Sequence, residues 1–269
     1  MNKKNIFGID IDALTMEQTV AYISQLKQQE QPIHILGVNA DKINQYYKET
    51  EEFKKIINEA QVINADGASL VLASKILKKD LPERVAGIDL MQNLLSLCEK
   101  KEYTVFFLGA KESVIKLMIH KIETSHPNLK IIGYRNGYFE KKDWATIAEK
   151  LKEQSPDFVF IGITSPMKEY LIDYFMKQGI NSVFMGVGGS FDVLSGCIKR
   201  APEWMQKFNL EWLFRVKQEP HRLFRRYFIG NFQFLFKLIK EIRSSNNGTR
   251  TLQKEENTEN YKSNFKRFL

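Results

Sequence analysis

The sequence predicts an α/β chain: a mostly parallel sheet with flanking helices, followed by a basic, aromatic helical appendage toward the C-terminal end. Three observations carry this. Apolar runs recur at residues 32–38, 61–63, 104–108, 129–132, 158–163 and 182–185, mostly alternating with helix-patterned stretches, as βα units do. The residues that follow these runs are polar and rich in glycine, the composition of loops at the carboxyl ends of parallel strands. Residues 210–244 carry eight Lys/Arg against three Asp/Glu, and 245–269 five against three, which accounts for nearly all of the net charge of +8.

Taken in order, the N-terminal MNKKNIFGIDID has two lysines but no apolar stretch of signal-peptide length before Asp10, so no export signal is expected. Cys98 and Cys197 lack C-x-x-C spacing, which points to a reducing cytosol rather than a zinc or disulfide framework. Asp10 and Asp12 form a D-x-D, the sharp reading of which is a metal-bound nucleotide. Thr15 and Gln18, however, have capping-box spacing, so the expectation is a strand or hairpin running into a helix.

The run 32–38 predicts a strand whose exit is Gly37, Asn39, Ala40 and Asp41. After 61–63 comes NADG, which places Asp66 at a strand end beside Gly67. A carboxylate there suits a general base, and equally an Asx-turn or the N-cap of a helix over 68–77. Arg84, between Glu83 and Asp89 in LPERVAGIDL, has two readings: a bidentate phosphate ligand or an internal ion pair.

The strand 104–108 exits through Gly109, Ala110 and Lys111 into a helix over 111–124, with Val114, Ile115, Leu117, Met118 and Ile122 on its apolar stripe. The strand 158–163 leads through residues 162–168 to a second crossover helix over 167–177. The last strand, 182–185, ends in Gly186, Gly188 and Gly189, which allow a diphosphate to approach the backbone or simply make a tight turn. The dinucleotide fingerprint G-x-G-x-x-G fails because Phe191 stands where its last glycine belongs.

His34, His120, His126 and His221 are scattered and read as structural or surface residues. Ser165 and Ser190 lack a G-x-S-x-G context, so acyl chemistry has no support. In the appendage, Arg215, Arg222, Arg225 and Arg226 make a guanidinium cluster suited to a departing diphosphate, which arginines can neutralise without a metal. The aromatics Phe214, Phe224, Tyr227, Phe228, Phe232, Phe234 and Phe236 share the segment, as on a helix lying on an anionic membrane surface. The alternative is that they dock on the core. No uncharged run approaches the roughly 20 residues that span a bilayer, and no nucleic-acid motif accompanies the charge. Domain boundaries are expected at 1–209 for the catalytic core, 210–243 for the appendage and 244–269 for a disordered polar tail.

NADGASLV, LPERVAGIDL, TSPMKE and GVGGSFDVLSGCIKRAPEWMQKFNLEWLFRVKQEPHRLFRRY together resemble the WecG/TagA/CpsF family of bacterial glycosyltransferases, over roughly residues 5–240. The resemblance implies a Rossmann-like, inverting transferase that uses neither metal nor cofactor. It moves a sugar from a UDP-sugar donor to a sugar on a polyprenyl-diphosphate-linked acceptor, in wall, capsule or exopolysaccharide assembly. The expected donor sugar is N-acetylmannosamine and the expected acceptor sugar GlcNAc; glucose and N-acetylmannosaminuronic acid donors are the alternatives. It further implies Asp66 as catalytic base, Asn39 and Arg84 as pocket residues, and Arg215, Arg222 and Arg225 as arginines that close over the site. Location on the inner face of the cytoplasmic membrane follows, with a homo-oligomer covering the appendage in solution and no nucleic-acid partner. Two features depart from the family pattern: Gly37, where several members have threonine, and the turn at 166–169, where Met167 and Lys168 stand in a segment elsewhere read P-K-Q-E. Lys168 is therefore expected to contact a diphosphate or an acidic sugar. Readings from other classes are an NAD-dependent oxidoreductase and a membrane-surface adaptor without activity.

Overall fold

A computed structural model describes residues 2–208, 210–218, 220 and 228–243. The chain opens with an antiparallel hairpin, β1 (Lys3–Ile6) and β2 (Ile9–Asp12). It continues as α1 (Met16–Lys27), β3 (Ile33–Val38), α2 (Ala40–Lys48), α3 (Glu51–Asn58), β4 (Val62–Ala65), α4 (Ala68–Ile76) and α5 (Gly87–Lys101). Then follow β5 (Thr104–Gly109), α6 (Glu112–Ser125), β6 (Lys130–Arg135), α7 (Trp144–Gln154), β7 (Phe158–Gly162), α8 (Met167–Lys177) and β8 (Val183–Gly186). The last elements are α9 (Ser190–Leu194), α10 (Glu203–Lys207), α11 (Glu211–Gln218) and a helix over 228–243, here α12.

Strands β3 to β8 form one six-stranded parallel sheet in the order β4-β3-β8-β7-β5-β6, as expected of a Rossmann-like chain. The strand boundaries move by a few residues: β4 extends through Asn64 and Ala65, and β6 starts at Lys130 rather than 129. The helix expected over 111–124 begins one residue later, with Lys111 as its N-cap.

The sheet is covered on both faces, which is why its central strands are continuously apolar. Alternation sends Val105, Phe107, Phe158 and Phe160 toward Leu94 of α5 and Met118 of α6. Their neighbours Phe106, Leu108, Val159 and Ile161 face Ile147 of α7 and Ile172 of α8. A third cluster joins the hairpin residues Ile6, Phe7, Ile9 and Ile11 to Ile63 of β4 and to Phe234 and Leu238 of α12.

The D-x-D belongs to this packing. Asp12 is buried and accepts the Ile63 N–H at 2.8 Å, tying the hairpin to edge strand β4, while Asp10 accepts from Asn5 Nδ2 at 2.8 Å on the surface. Burial raises the Asp12 pKa. The Thr15–Gln18 capping box is formed at the start of α1. Among the described residues no group of three or more His, Cys, Asp or Glu converges, and no helix is long and apolar enough to cross a membrane.

Parallel register brings the strand ends to one edge of the sheet. Val38 pairs with Ala65, Ile161 with Gly186 and Gly109 with Gly162.

Candidate active site

The end of β4 is held by the segment just before α5. Val85 N–H donates to the Ala65 carbonyl at 2.8 Å, and Asn64 Nδ2 donates to the Val85 carbonyl at 2.8 Å. This pairing carries the Gly87 N–H, at the start of α5, to Asp66 Oδ1 at 2.7 Å, and Arg84 Nε to the Asp66 carbonyl at 2.9 Å. From the β3 side, Asn39 Nδ2 donates to Asp66 Oδ2 at 3.2 Å while Asn39 Oδ1 accepts the Lys42 N–H at 3.0 Å and caps α2. The two loops come this close because position 67 is glycine: a Cβ there would stand 2.8 Å from Asn39 Cβ.

Asp66 therefore does not N-cap α4, whose cap position is Gly67 with no side-chain hydrogen bond. Its carboxylate serves the start of α5 instead. Among the described residues each oxygen takes one hydrogen bond, which leaves it acceptor capacity. The side chain is half-buried, so the group is oriented yet reachable.

Arg84 forms an ion pair, but with neither of its neighbours in sequence. Its Nη2 donates to Glu211 Oε2 at 2.6 Å. Glu83 instead accepts the Met16 N–H, and Asp89 takes Arg200 Nη2 on both oxygens, at 2.7 and 2.8 Å. Arg200 Nε lies 3.5 Å from Glu211 Oε1. Burial alone would raise the Glu211 pKa, but Arg84, Arg200 and Arg215 hold it below the usual carboxylate range. Arg215, half-buried, lies one helical turn beyond Glu211 on α11. Arg222 and Arg225 lie outside the described residues.

Lys168 lies across the end of β8. Its Nζ donates to the Gly186 carbonyl at 3.4 Å, and its stem runs over Gly186, where a Cβ would meet Lys168 Cδ at 2.9 Å. Below it is a buried network. Glu169 is fully buried and accepts Lys42 Nζ at 2.6 Å, while Lys168 Nζ is 3.8 Å away and Ser165 Oγ contacts it at 2.7 Å. Burial pushes the Lys42 pKa down to about 8. Burial alone would raise that of Glu169, but Lys168 and Lys42 hold it below the usual range.

Gly188 has φ +53°, a left-handed turn that glycine adopts freely, and Gly189 leads into the five-residue helix α9. The structure thus joins Asp66, Asn39 and Arg84 in direct contact and Lys168 with Gly186, on the ends of the adjacent strands β3, β4 and β8. Sequence reasoning missed Glu211, Arg200, Asp89 and Lys42. The first two stand in LEW and RAP, segments read only for their resemblance; for Glu211, a charge between Leu210 and Trp212 was the available signal.

The model of the Glycosyl transferase WecG/TagA/CpsF family matches residues 4–248. Among similar proteins is the N-acetylglucosaminyldiphosphoundecaprenol N-acetyl-beta-D-mannosaminyltransferase of Staphylococcus aureus (strain MW2), 33% identical over 243 residues, 90% of this chain and 94% of that one. Proteins of the same name from Bacillus subtilis (strain 168) and Bacillus spizizenii (strain ATCC 23059 / NRRL B-14472 / W23) are 37% and 35% identical. Those matches cover 64% and 72% of this chain, and 66% and 74% of the relatives.

Proposed function

Because this chain belongs to the glycosyl transferase WecG/TagA/CpsF family, we propose that it transfers N-acetylmannosamine from a UDP-sugar to GlcNAc on a polyprenyl diphosphate, with inversion at the anomeric carbon. The names of its relatives support the sugar and the acceptor. Membership in a glycosyl transferase family leaves the nicotinamide alternative without support.

The observation that carries the reading is the Asp66 carboxylate, oriented by Gly87 N–H and Asn39 Nδ2 at the carboxyl edge of the sheet. Asp66 takes the proton of the acceptor hydroxyl as that oxygen bonds to the anomeric carbon, and the bond from that carbon to UDP breaks on the opposite side. The electron pair leaves on the diphosphate. Arg215, with the arginines at 222 and 225, neutralises that charge, and Lys168 with the glycines 186, 188 and 189 receives the donor. Arg84 and Asn39 line the acceptor side. No cofactor or metal enters this scheme.

Residues 1–209 serve as the catalytic core, and 210–243 as the appendage that docks on the inner face of the cytoplasmic membrane, where the lipid-linked acceptor resides. The pathway is envelope polysaccharide assembly.

The test is a donor screen with purified protein and a lipid-diphosphate-GlcNAc acceptor, reading UDP release. Asp66→Asn is expected to reduce turnover by about 10²–10⁴-fold while leaving the circular dichroism spectrum unchanged. Full turnover by Asp66→Asn would remove the proposed base. Lys168→Gln is expected to shift the relative kcat/KM among UDP-N-acetylmannosamine, UDP-glucose and UDP-N-acetylmannosaminuronic acid. Identical ratios in both proteins would strip Lys168 of a role in donor choice.

A further inference from the structure

Asp66 is held from two directions, and each hold leads to an arginine. Arg84 grips its carbonyl directly. Arg200 grips Asp89, in the first turn of α5, the helix whose leading residue Gly87 donates to Asp66 Oδ1. Both arginines meet at one carboxylate, Glu211, which is 127 residues from Arg84 in sequence and opens α11. Glu211 is 8% exposed.

We propose that Glu211 is a positioning residue: by gripping Arg84 and standing against Arg200, it couples the seat of α11 to the orientation of the Asp66 carboxylate. The proposal rests on the reading of Asp66 as the base. Seating α11 brings Arg215 with it, one turn beyond Glu211, so the base is aligned as a cation for the leaving group arrives. An ion pair with a buried carboxylate and partly buried arginines is a poor device for stability alone, since desolvation offsets much of its attraction. It is a good device for register, because a carboxylate fits between two guanidinium groups in few ways. Arg200 Nε is buried with no hydrogen-bond partner among the described residues, 3.5 Å from the Glu211 oxygen. A small further approach of α11 closes that bond, so the node has room to tighten when ligand binds.

The test compares the wild-type full chain, Glu211→Gln, Glu211→Asp and a control, Glu203→Gln, at an exposed carboxylate of α10. Amide exchange is read by mass spectrometry on peptides spanning residues 84–90 and 211–218, alongside kcat and donor KM. In Glu211→Gln the Arg84 ion pair is lost. Both peptides are expected to exchange about tenfold faster and kcat to fall about 10–100-fold, with donor KM within about threefold, because a misplaced base costs turnover rather than binding. Glu211→Asp keeps the charge but withdraws it by one methylene; smaller changes in the same direction are expected. Glu203→Gln matches the wild type.

Unchanged exchange at 84–90 in both Glu211 variants overturns the coupling. So does exchange that rises uniformly across the whole chain, which marks general destabilisation. Faster exchange at 84–90 with undiminished kcat also overturns it. A wild-type protein that transfers no sugar would instead defeat the functional reading, while the exchange data still decide whether Glu211 holds the Asp66 segment.

Discussion

His34 departs far from its solution chemistry. Complete burial on β3 pushes its pKa down to about 4, with Lys42 and Lys168 adding to the shift and Glu169 opposing it. Between that value and about 6.5, the unfolded chain binds a proton that the folded chain refuses, so stability rises with pH across this window and is lost as pH falls through it. From pH 7 to pH 5 the expected loss is about 2 kcal/mol, measurable from denaturation midpoints. His34→Leu should remove that part of the slope, and an unchanged slope would mean that His34 accepts its proton in the folded state. Asp66 and Asn39 were legible in sequence because a polar residue directly after an apolar strand has one obvious location, the carboxyl edge. Glu211 and Lys42 were not. A lone charged residue on a helix looks like a solvated one until its partner is known, and these partners lie 127 residues away in each case.

Among the elements, α12 answers a question that periodicity left open: whether the C-terminal aromatics face the core or the surroundings. It does both. Phe234, Leu238 and Ile242, four residues apart, pack on the hairpin cluster, with the Phe234 ring 5.3 Å from that of Phe7. Phe228, Ile229, Phe232, Leu235, Phe236 and Ile239 stay exposed. Phe234→Ala should therefore cost about 3 kcal/mol, by deleting a buried ring, whereas Phe236→Ala should stay within about 0.5 kcal/mol. Thermal melts of the two variants check this, and equal losses would contradict the two-faced packing. The βα alternation was readable because the central strands β3, β5, β7 and β8 are largely apolar runs. The dual role of α12 was hidden because its apolar residues occupy both a core-facing and an outward-facing stripe, so the aromatics alone do not say which side is buried.

For the whole molecule, the uneven charge and the outward stripe of α12 belong together. Trp204, Phe208, Trp212 and Leu213 on and beside α10 and α11 are exposed as well, and Lys240 and Arg243 stand exposed on α12. An exposed apolar stripe of this kind commonly marks a contact surface, and a lipid surface or a second copy would cover it. An anionic bilayer suits both features, at about 1 kcal/mol per Lys or Arg near the surface plus the burial of the aromatic rings. The protein should therefore float with vesicles that contain phosphatidylglycerol, and bind them more weakly as salt is raised, because the Debye length shrinks to about 8 Å at physiological ionic strength. Changing Phe232 and Phe236 together to serine removes apolar contact but no charge. That variant should bind more weakly at every salt concentration with an unchanged melting temperature, and should dissociate any oligomer that buries the same stripe. Equal binding of wild type and variant to neutral and anionic vesicles would show that neither the charge nor the stripe faces the lipid.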